Sequence, residues 1–149
     1  MPLLTTTLLL AAALQVQTAT NAGRFHVEHP TLLNAGFEWT ITGDANRNAT
    51  VTVQFRAVGE TAWRNAPSLV RLGGENIYRR RENLDYTVPD GFAGSILNLL
   101  PGTEYECRFQ LTDPDGVTGQ ATHVVRVKTR TEPMPSKEGR TLHVYPPDH

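Results

Sequence analysis

The densest group of side chains able to bind a ligand lies in the middle of the chain. Three consecutive arginines, Arg79, Arg80 and Arg81, stand between Tyr78 and Tyr86. Guanidinium groups present planar forks of donors that match carboxylates, and tyrosine rings offer faces for stacking. This combination suits an acidic sugar, another carboxylate ligand or the surface of a neighbouring domain. A solvated loop has the same pattern, so both interpretations stay open at this point.

No other group has the residue types and spacing of a metal site. His26 and His29 are three positions apart, and on a strand such positions point to opposite faces, so one ion cannot take both rings. Asp113-x-Asp115-Gly116 begins like a calcium loop, but the later ligands are missing and a turn is favoured. We therefore expect no metal and no cofactor.

Nucleophilic catalysis has no support either. Cys107 alternates with Tyr105 and Phe109 on an apolar strand face, where burial keeps a thiol protonated and inert. The chain has no Gly-x-Ser-x-Gly, and Gly73-Gly74 lacks the Lys-Ser/Thr ending of a phosphate-binding loop. We expect that this chain is not an enzyme and contains no catalytic residues.

The elements that position these residues are short strands, because apolar and polar residues alternate with a period of two. The clearest strands cover residues 37–42, 51–57, 104–111 and 125–128, and weaker ones cover 25–28, 69–72 and 93–97. Residues typical of turns separate them. About seven short antiparallel strands predict an all-β, immunoglobulin-like sandwich of two sheets.

One segment is more specific than the alternation. Leu99-x-Pro101-x-Thr103-x-Tyr105 has the spacing of a tyrosine corner, in which a buried hydroxyl bonds to backbone a few residues upstream. The tight turn at Pro101 predicts a carbonyl as its partner. Together with an inward Trp39, residues 24–131 resemble a fibronectin type III domain. The resemblance implies structural roles for Trp39, Pro101 and Tyr105, and the long connection at 73–91 departs from it.

The two ends differ from the middle. No charged residue precedes Arg24, and the apolar stretch at 8–14 is too short to span a bilayer but fits a secretory signal peptide. We predict a signal peptide at 1–22, a fibronectin type III-like domain at 23–131 and no stable membrane span. The protein is then secreted or periplasmic. Residues 132–149 read as a proline-containing linker and the first strand of a further, downstream domain.

The net charge of -1 argues against nucleic-acid binding. We expect a non-catalytic accessory or spacer module of an exported multidomain protein that docks to its downstream domain. The arrangement resembles the front end of secreted bacterial proteins that continue into a right-handed parallel β-helix. The chain would then open a polysaccharide lyase or hydrolase, or a metallophosphoesterase, whose catalytic domain lies beyond it. A carbohydrate-binding module is the third alternative, with a polysaccharide as partner and Trp63, Tyr78 and Tyr86 as the exposed aromatic residues.

Overall fold

A computed structural model describes residues 17–135, 138–139 and 142–145. Within these ranges the chain forms ten strands and one short 3-10 turn at Arg80–Glu82. The strands are β1 (Thr20–Val27), β2 (Ala35–Gly43), β3 (Thr50–Ala57), β4 (Arg64–Leu72), β5 (Asn76–Arg79), β6 (Leu84–Thr87), β7 (Gly91–Ile96), β8 (Glu104–Thr112), β9 (Val117–Thr118) and β10 (Thr122–Lys128). None of the described segments is a helix with the length and apolar character needed to cross a membrane.

Eight strands form one continuous ladder in the order β10-β8-β3-β4-β7-β2-β1-β9. The ladder folds over itself, so that β1, β2 and β7 face β3, β8 and β10 as two layers of a sandwich. The sequence predicts two separate sheets, but β4 joins them. Its first part pairs with β3, and from Val70 onward it pairs with β7.

The core lies between the two layers and follows directly from the alternating sequence. In β2, Phe37, Trp39 and Ile41 are buried while Glu38 and Thr42 are exposed. β8 alternates in the same way. The rings of Phe37 and Phe109 meet across the layers with centroids 4.5 Å apart. Burying one such side chain contributes roughly 1.5–3 kcal/mol, so these aromatic residues supply a large part of the stabilisation.

The number of strands corrects the prediction of about seven. All seven predicted strands are present as β1, β2, β3, β4, β7, β8 and β10, and β5, β6 and β9 are additional. β5 and β6 contain four residues each and are exposed along their whole length, so any alternation in them is too short to mark a strand. β9 contains two residues, too few to show a period.

The first strand begins at Thr20, so residues 20–22, which the sequence pattern places in the signal peptide, lie in the sheet. Thr20 is buried, pairs with Val117, and donates its hydroxyl to a carboxylate oxygen of Asp113 at 2.5 Å. Residues 1–16 of the predicted signal peptide lie outside the described residues. At the other end, 142–145 are exposed and form no strand, and the rest of the strand expected there is not described.

A buried ion pair holds the segment from which the connection between β4 and β7 departs. One oxygen of Asp44 accepts the backbone N–H groups of Asn48 at 2.9 Å and Ala49 at 3.2 Å. The other oxygen accepts Nε of Arg71 at 2.8 Å. Arg71 also donates to Asp90 at 3.2 Å. Because Arg71 precedes the connection and Asp90 follows it, one network fixes both of its ends.

Candidate functional site

The connection between β4 and β7 forms a hairpin of its own. β5 and β6 pair with each other and with no other strand of the described residues. The 3-10 turn at Arg80–Glu82 joins them, and Asn83 closes it with φ at 49°, a left-handed conformation that asparagine adopts more readily than most residues. The structure therefore brings Tyr78, Tyr86 and the three arginines together on one projecting element, which we call the hairpin.

One face of the hairpin is largely apolar. The register pairs Ile77 with Tyr86 and Arg79 with Leu84, so these four side chains share a face. Ile77, Leu84 and Tyr86 are 38%, 40% and 49% exposed. A surface that lay against this face would bury all three side chains. A contiguous exposed apolar patch of this kind is typical of an interaction site.

The opposite face of the hairpin is polar and internally bonded. Asn76 donates through Nδ2 to Asp85 and to Thr87, at 3.3 Å in each case. Tyr78 lies across from Asp85 and is the most exposed aromatic side chain of the hairpin at 65%. The two predicted tyrosines therefore lie on different faces, and a flat partner cannot contact both rings at once.

The arginines differ in what they contact. Nη1 of Arg79 lies 3.6 Å from Oε2 of Glu82. Both side chains are exposed, so solvent weakens this ion pair. Arg80 and Arg81 make no ion pair with any described residue. Their donor groups are open to solvent at the end of the hairpin. The structure thus presents two free guanidinium groups beside an apolar face, a combination that matches carboxylates around an apolar centre.

The base of the hairpin is held by backbone and side-chain bonds. Gly74 donates to the carbonyl of Val88 at 3.1 Å, and Val88 donates back to the carbonyl of Glu75 at 2.8 Å. The carboxylate of Glu75 accepts the backbone N–H of Gly73 at 3.0 Å and lies 3.8 Å from Arg47. The Gly73 N–H is the main reason why the pKa of Glu75 is lowered. The base is anchored while the tip projects.

The tyrosine corner has the predicted residues with a different partner. The hydroxyl oxygen of Tyr105 accepts the backbone N–H of Leu100 at 2.9 Å. The expectation of a carbonyl acceptor was wrong, because the turn directs the Leu100 N–H toward the Tyr105 hydroxyl, while the Leu100 carbonyl accepts the Thr129 hydroxyl at 2.6 Å. The carbonyl of Pro101 accepts the Thr103 hydroxyl at 3.0 Å, which holds the turn.

Trp39 is fully buried, and its indole N–H has no acceptor among the described residues. Its ring packs edge to face on Phe25 and on His123, with ring centroids 5.4 Å and 4.8 Å apart. His123 in turn stacks on Phe25 at 4.5 Å. Burial in these aromatic surroundings lowers the pKa of His123. Trp39 of β2 and His123 of β10 therefore pack together with Phe25 of β1.

The remaining titratable residues do not form a site of known chemistry. His26 pairs with Glu28 at 3.3 Å on the surface. Asp115 accepts the side-chain amide of Asn46 at 2.6 Å, and this bond is the first cause of its lowered pKa. No group of three histidine, cysteine or acidic residues in the described ranges could hold a metal ion. Burial raises the pKa of Cys107 to about 12, so its thiol stays protonated.

Comparison with known proteins adds little to this geometry. No protein family profile matches the chain, and no curated protein matches it. Among solved structures, one from a computer-based redesign of a β-sandwich protein is similar, with a TM-score of 0.42 and 15% identity over 76% of this chain and 97% of that chain. A likeness at this level carries no argument, and the strand pairing alone defines the fold.

The sequence pattern did not mark a second group of polar residues on the outer face of β3, β4 and β8. Gln54, Asn65 and Arg108 meet there, and the ring of Trp63 contacts the Arg108 guanidinium, its carbon 4.6 Å from the ring centre. Gln54 and Arg108 occupy the polar positions of strands that were predicted. Their proximity follows only from the pairing of β3 with β8, which the alternation does not reveal.

Proposed function

We propose that this chain is a non-catalytic accessory β-sandwich that docks onto another protein surface through the hairpin. The observation that carries the proposal is the exposed apolar face of Ile77, Leu84 and Tyr86 beside the unpaired Arg80 and Arg81. A two-stranded hairpin is only marginally stable without further packing. A partner that covers this face would bury apolar area and stabilise the hairpin.

The side chains of the hairpin define the chemistry of the partner. Tyrosine and arginine are enriched in the centres of protein interfaces, where they combine apolar area with directed hydrogen bonds. We expect a surface with an apolar centre that receives Ile77 and Tyr86, and carboxylates at its rim for the two arginines. A domain that follows the proline-containing linker in the same polypeptide is the first partner to test.

We further propose that the sandwich is of fibronectin type III kind and belongs to an exported protein. The bond between Leu100 and Tyr105 and the inward Trp39 support the first part. The uncharged sequence before Arg24 supports the second. A signal peptide that ends before Thr20 would leave β1 and its bond to Asp113 intact.

Hydrogen exchange provides the test of docking. The amides of Asn76–Thr87 are compared in the 149-residue chain and in the complete polypeptide encoded by the gene. We expect slower exchange of these amides in the complete polypeptide, because the partner surface covers them. The double variant Arg80→Ala/Arg81→Ala should lose this protection.

Arg24→Ala/Arg130→Ala is the matched control, because it removes two exposed arginines that lie outside the hairpin. It should keep the protection. Equal exchange in the two polypeptides, or equal loss in both double variants, would contradict docking through the hairpin. A stop codon directly after residue 149 would contradict a partner domain in the same polypeptide.

A further inference from the structure

The outer face of the layer formed by β3, β4, β8 and β10 contains a groove of about 680 Å³. Its lining is polar and almost uncharged. The lining side chains that offer hydrogen bonds are three amides, three hydroxyls and one guanidinium: Gln54, Asn65, Gln110, Thr52, Ser68, Thr122 and Arg108. The groove lies on a different part of the molecule from the hairpin and shares no residue with it.

A bulge in β4 opens this groove. The pairs on either side of the bulge are Val51 with Leu69 and Val53 with Ala66. Two residues of β4, Pro67 and Ser68, therefore lie opposite Thr52 alone. An extra residue bends a strand, and proline has no N–H for the ladder, so β4 bends here before it passes to the other layer at Val70. Ala66 and Ser68, on either side of Pro67, line the groove.

Hydrogen bonds hold the polar side chains of the groove in place. Gln54 donates through Nε2 to Oδ1 of Asn65 at 2.9 Å, and Arg108 donates to Oε1 of the same glutamine. This chain of bonds runs across β8, β3 and β4. A neighbouring bond joins the Thr122 hydroxyl to Oε1 of Gln110 at 2.6 Å. Side chains fixed in this way lose little conformational entropy when a ligand binds.

Several polar atoms of the groove stay open to a ligand. Within the described residues, Nδ2 of Asn65 and the hydroxyls of Thr52 and Ser68 have no hydrogen-bond partner in the structure. No carboxylate lines the groove, so the charge of Arg108 is not balanced there. The groove therefore offers hydrogen-bond donors and acceptors together with one cation.

We infer that this groove binds a segment of a glycan chain. A sugar ring carries donors and acceptors around its rim, which match the amides and hydroxyls, and Arg108 would take the carboxylate when the sugar is a uronate. The ring of Trp63 packs on the guanidinium groups of Arg56 and Arg108, with its centre 4.5 Å from the guanidinium carbon of Arg56 and 4.6 Å from that of Arg108. This contact helps to hold the Arg108 side chain in position at the groove.

A peptide fits this groove less well than a glycan. Peptides that extend a sheet bind to unpaired backbone at an edge, whereas the backbone of β3 is paired on both sides. Peptide side chains also need apolar pockets, and only Val53 and Ala66 contribute apolar lining.

Affinity electrophoresis of the 149-residue chain in gels containing a soluble polysaccharide tests the inference. One gel series contains a neutral β-glucan and the other contains polygalacturonate. We expect retardation by at least one of them. Gln54→Ala/Asn65→Ala should weaken binding about tenfold or more, because two fixed hydrogen-bonding groups are lost. Ser68→Gln, which fills the groove without breaking its hydrogen bonds, should weaken it as well.

The two gel series separate the roles of the groove residues. Weaker binding of Arg108→Gln to polygalacturonate alone supports recognition of the carboxylate, and equal binding of both polymers supports recognition of the hydroxyls. Arg80→Ala/Arg81→Ala in the hairpin should bind like the original chain. Thermal unfolding shows that each variant is folded. No retardation by either polymer, or normal binding by both groove variants, would overturn the inference.

Discussion

Tyrosines in two regions of the molecule have opposite surroundings. Tyr105 is buried between the layers, and its hydroxyl accepts the N–H of Leu100. Tyr78 and Tyr86 in the hairpin leave about half or more of their surface exposed. The same side chain therefore stabilises the fold in one region and remains available to a partner in the other. The two surroundings differ because the chain provides a hydrogen-bond donor and packing neighbours for Tyr105 but leaves Tyr78 and Tyr86 largely uncovered.

The arginines show the same contrast. Arg71 is 14% exposed and bonds to the fully buried carboxylate of Asp44. Arg80 and Arg81 are exposed and make no ion pair with described residues. A charge removed from the sandwich should therefore destabilise the fold, whereas a charge removed from the hairpin should not. Four experiments test this contrast.

The largest effect is expected for Asp44→Ala. The substitution leaves Arg71 without its buried partner and frees the N–H groups of Asn48 and Ala49. Breaking a buried pair on one side costs about 3–5 kcal/mol. We expect a loss of about 3 kcal/mol in the free energy of unfolding, measured by urea denaturation. Glu82→Ala, which removes the exposed partner of Arg79, is the control and should change it by less than about 0.5 kcal/mol.

Tyr105→Phe should have the next largest effect. The ring stays, but the N–H of Leu100 loses its acceptor in a partly buried position. An unsatisfied donor of this kind costs about 1–3 kcal/mol, so we expect a loss of about 1 kcal/mol or more in urea denaturation. Tyr78→Phe is the matched control in the hairpin and should have no measurable effect. Equal effects of the two substitutions would remove the contrast between the regions.

His123 should make the stability depend on pH. Burial lowers its pKa in the folded chain from the ordinary value of 6.5, so the unfolded chain binds the proton first as the pH falls. The free energy of unfolding should therefore decrease as the pH falls below about 6.5. His123→Phe keeps the stacking on Phe25 and should remove this decrease. His29→Phe, at an exposed position, should keep it.

The smallest effect is expected in the hairpin. Arg80→Ala/Arg81→Ala should change the free energy of unfolding by no more than about 0.5 kcal/mol, because exposed charges without partners contribute little to stability. Urea denaturation of the 149-residue chain measures it. A loss above 1 kcal/mol would show that the hairpin arginines stabilise the sandwich, and the two regions would then not differ in this respect.

The strands of the sandwich could be predicted because each has one buried face. In β2 and β8 every second residue is apolar, and the structure buries those residues. Trp39 and Tyr105 could be placed in the core for the same reason. Local alternation carries this information because it depends on neighbours within one strand.

The hairpin strands and the groove could not be predicted in this way. β5 and β6 have no buried face, and with four residues each they are too short for their alternation to stand out. The groove depends on the bulge in β4 and on contacts such as that of Gln54 with Arg108, which are 54 positions apart. The groove therefore needs the pairing of strands that are distant in the chain.

The bond between Thr20 and Asp113 also bears on the order in which the strands pair during synthesis. The two residues are 93 positions apart, and β9, the outer neighbour of β1, follows Asp113 in the chain. A chain that emerges with its N-terminus first can pair β1 with β2 early, but the other edge of β1 stays open until residue 118 has appeared. Pairings this distant slow folding. The first strand to be made is therefore among the last to be closed, and during that interval its open edge is where another chain could pair with it.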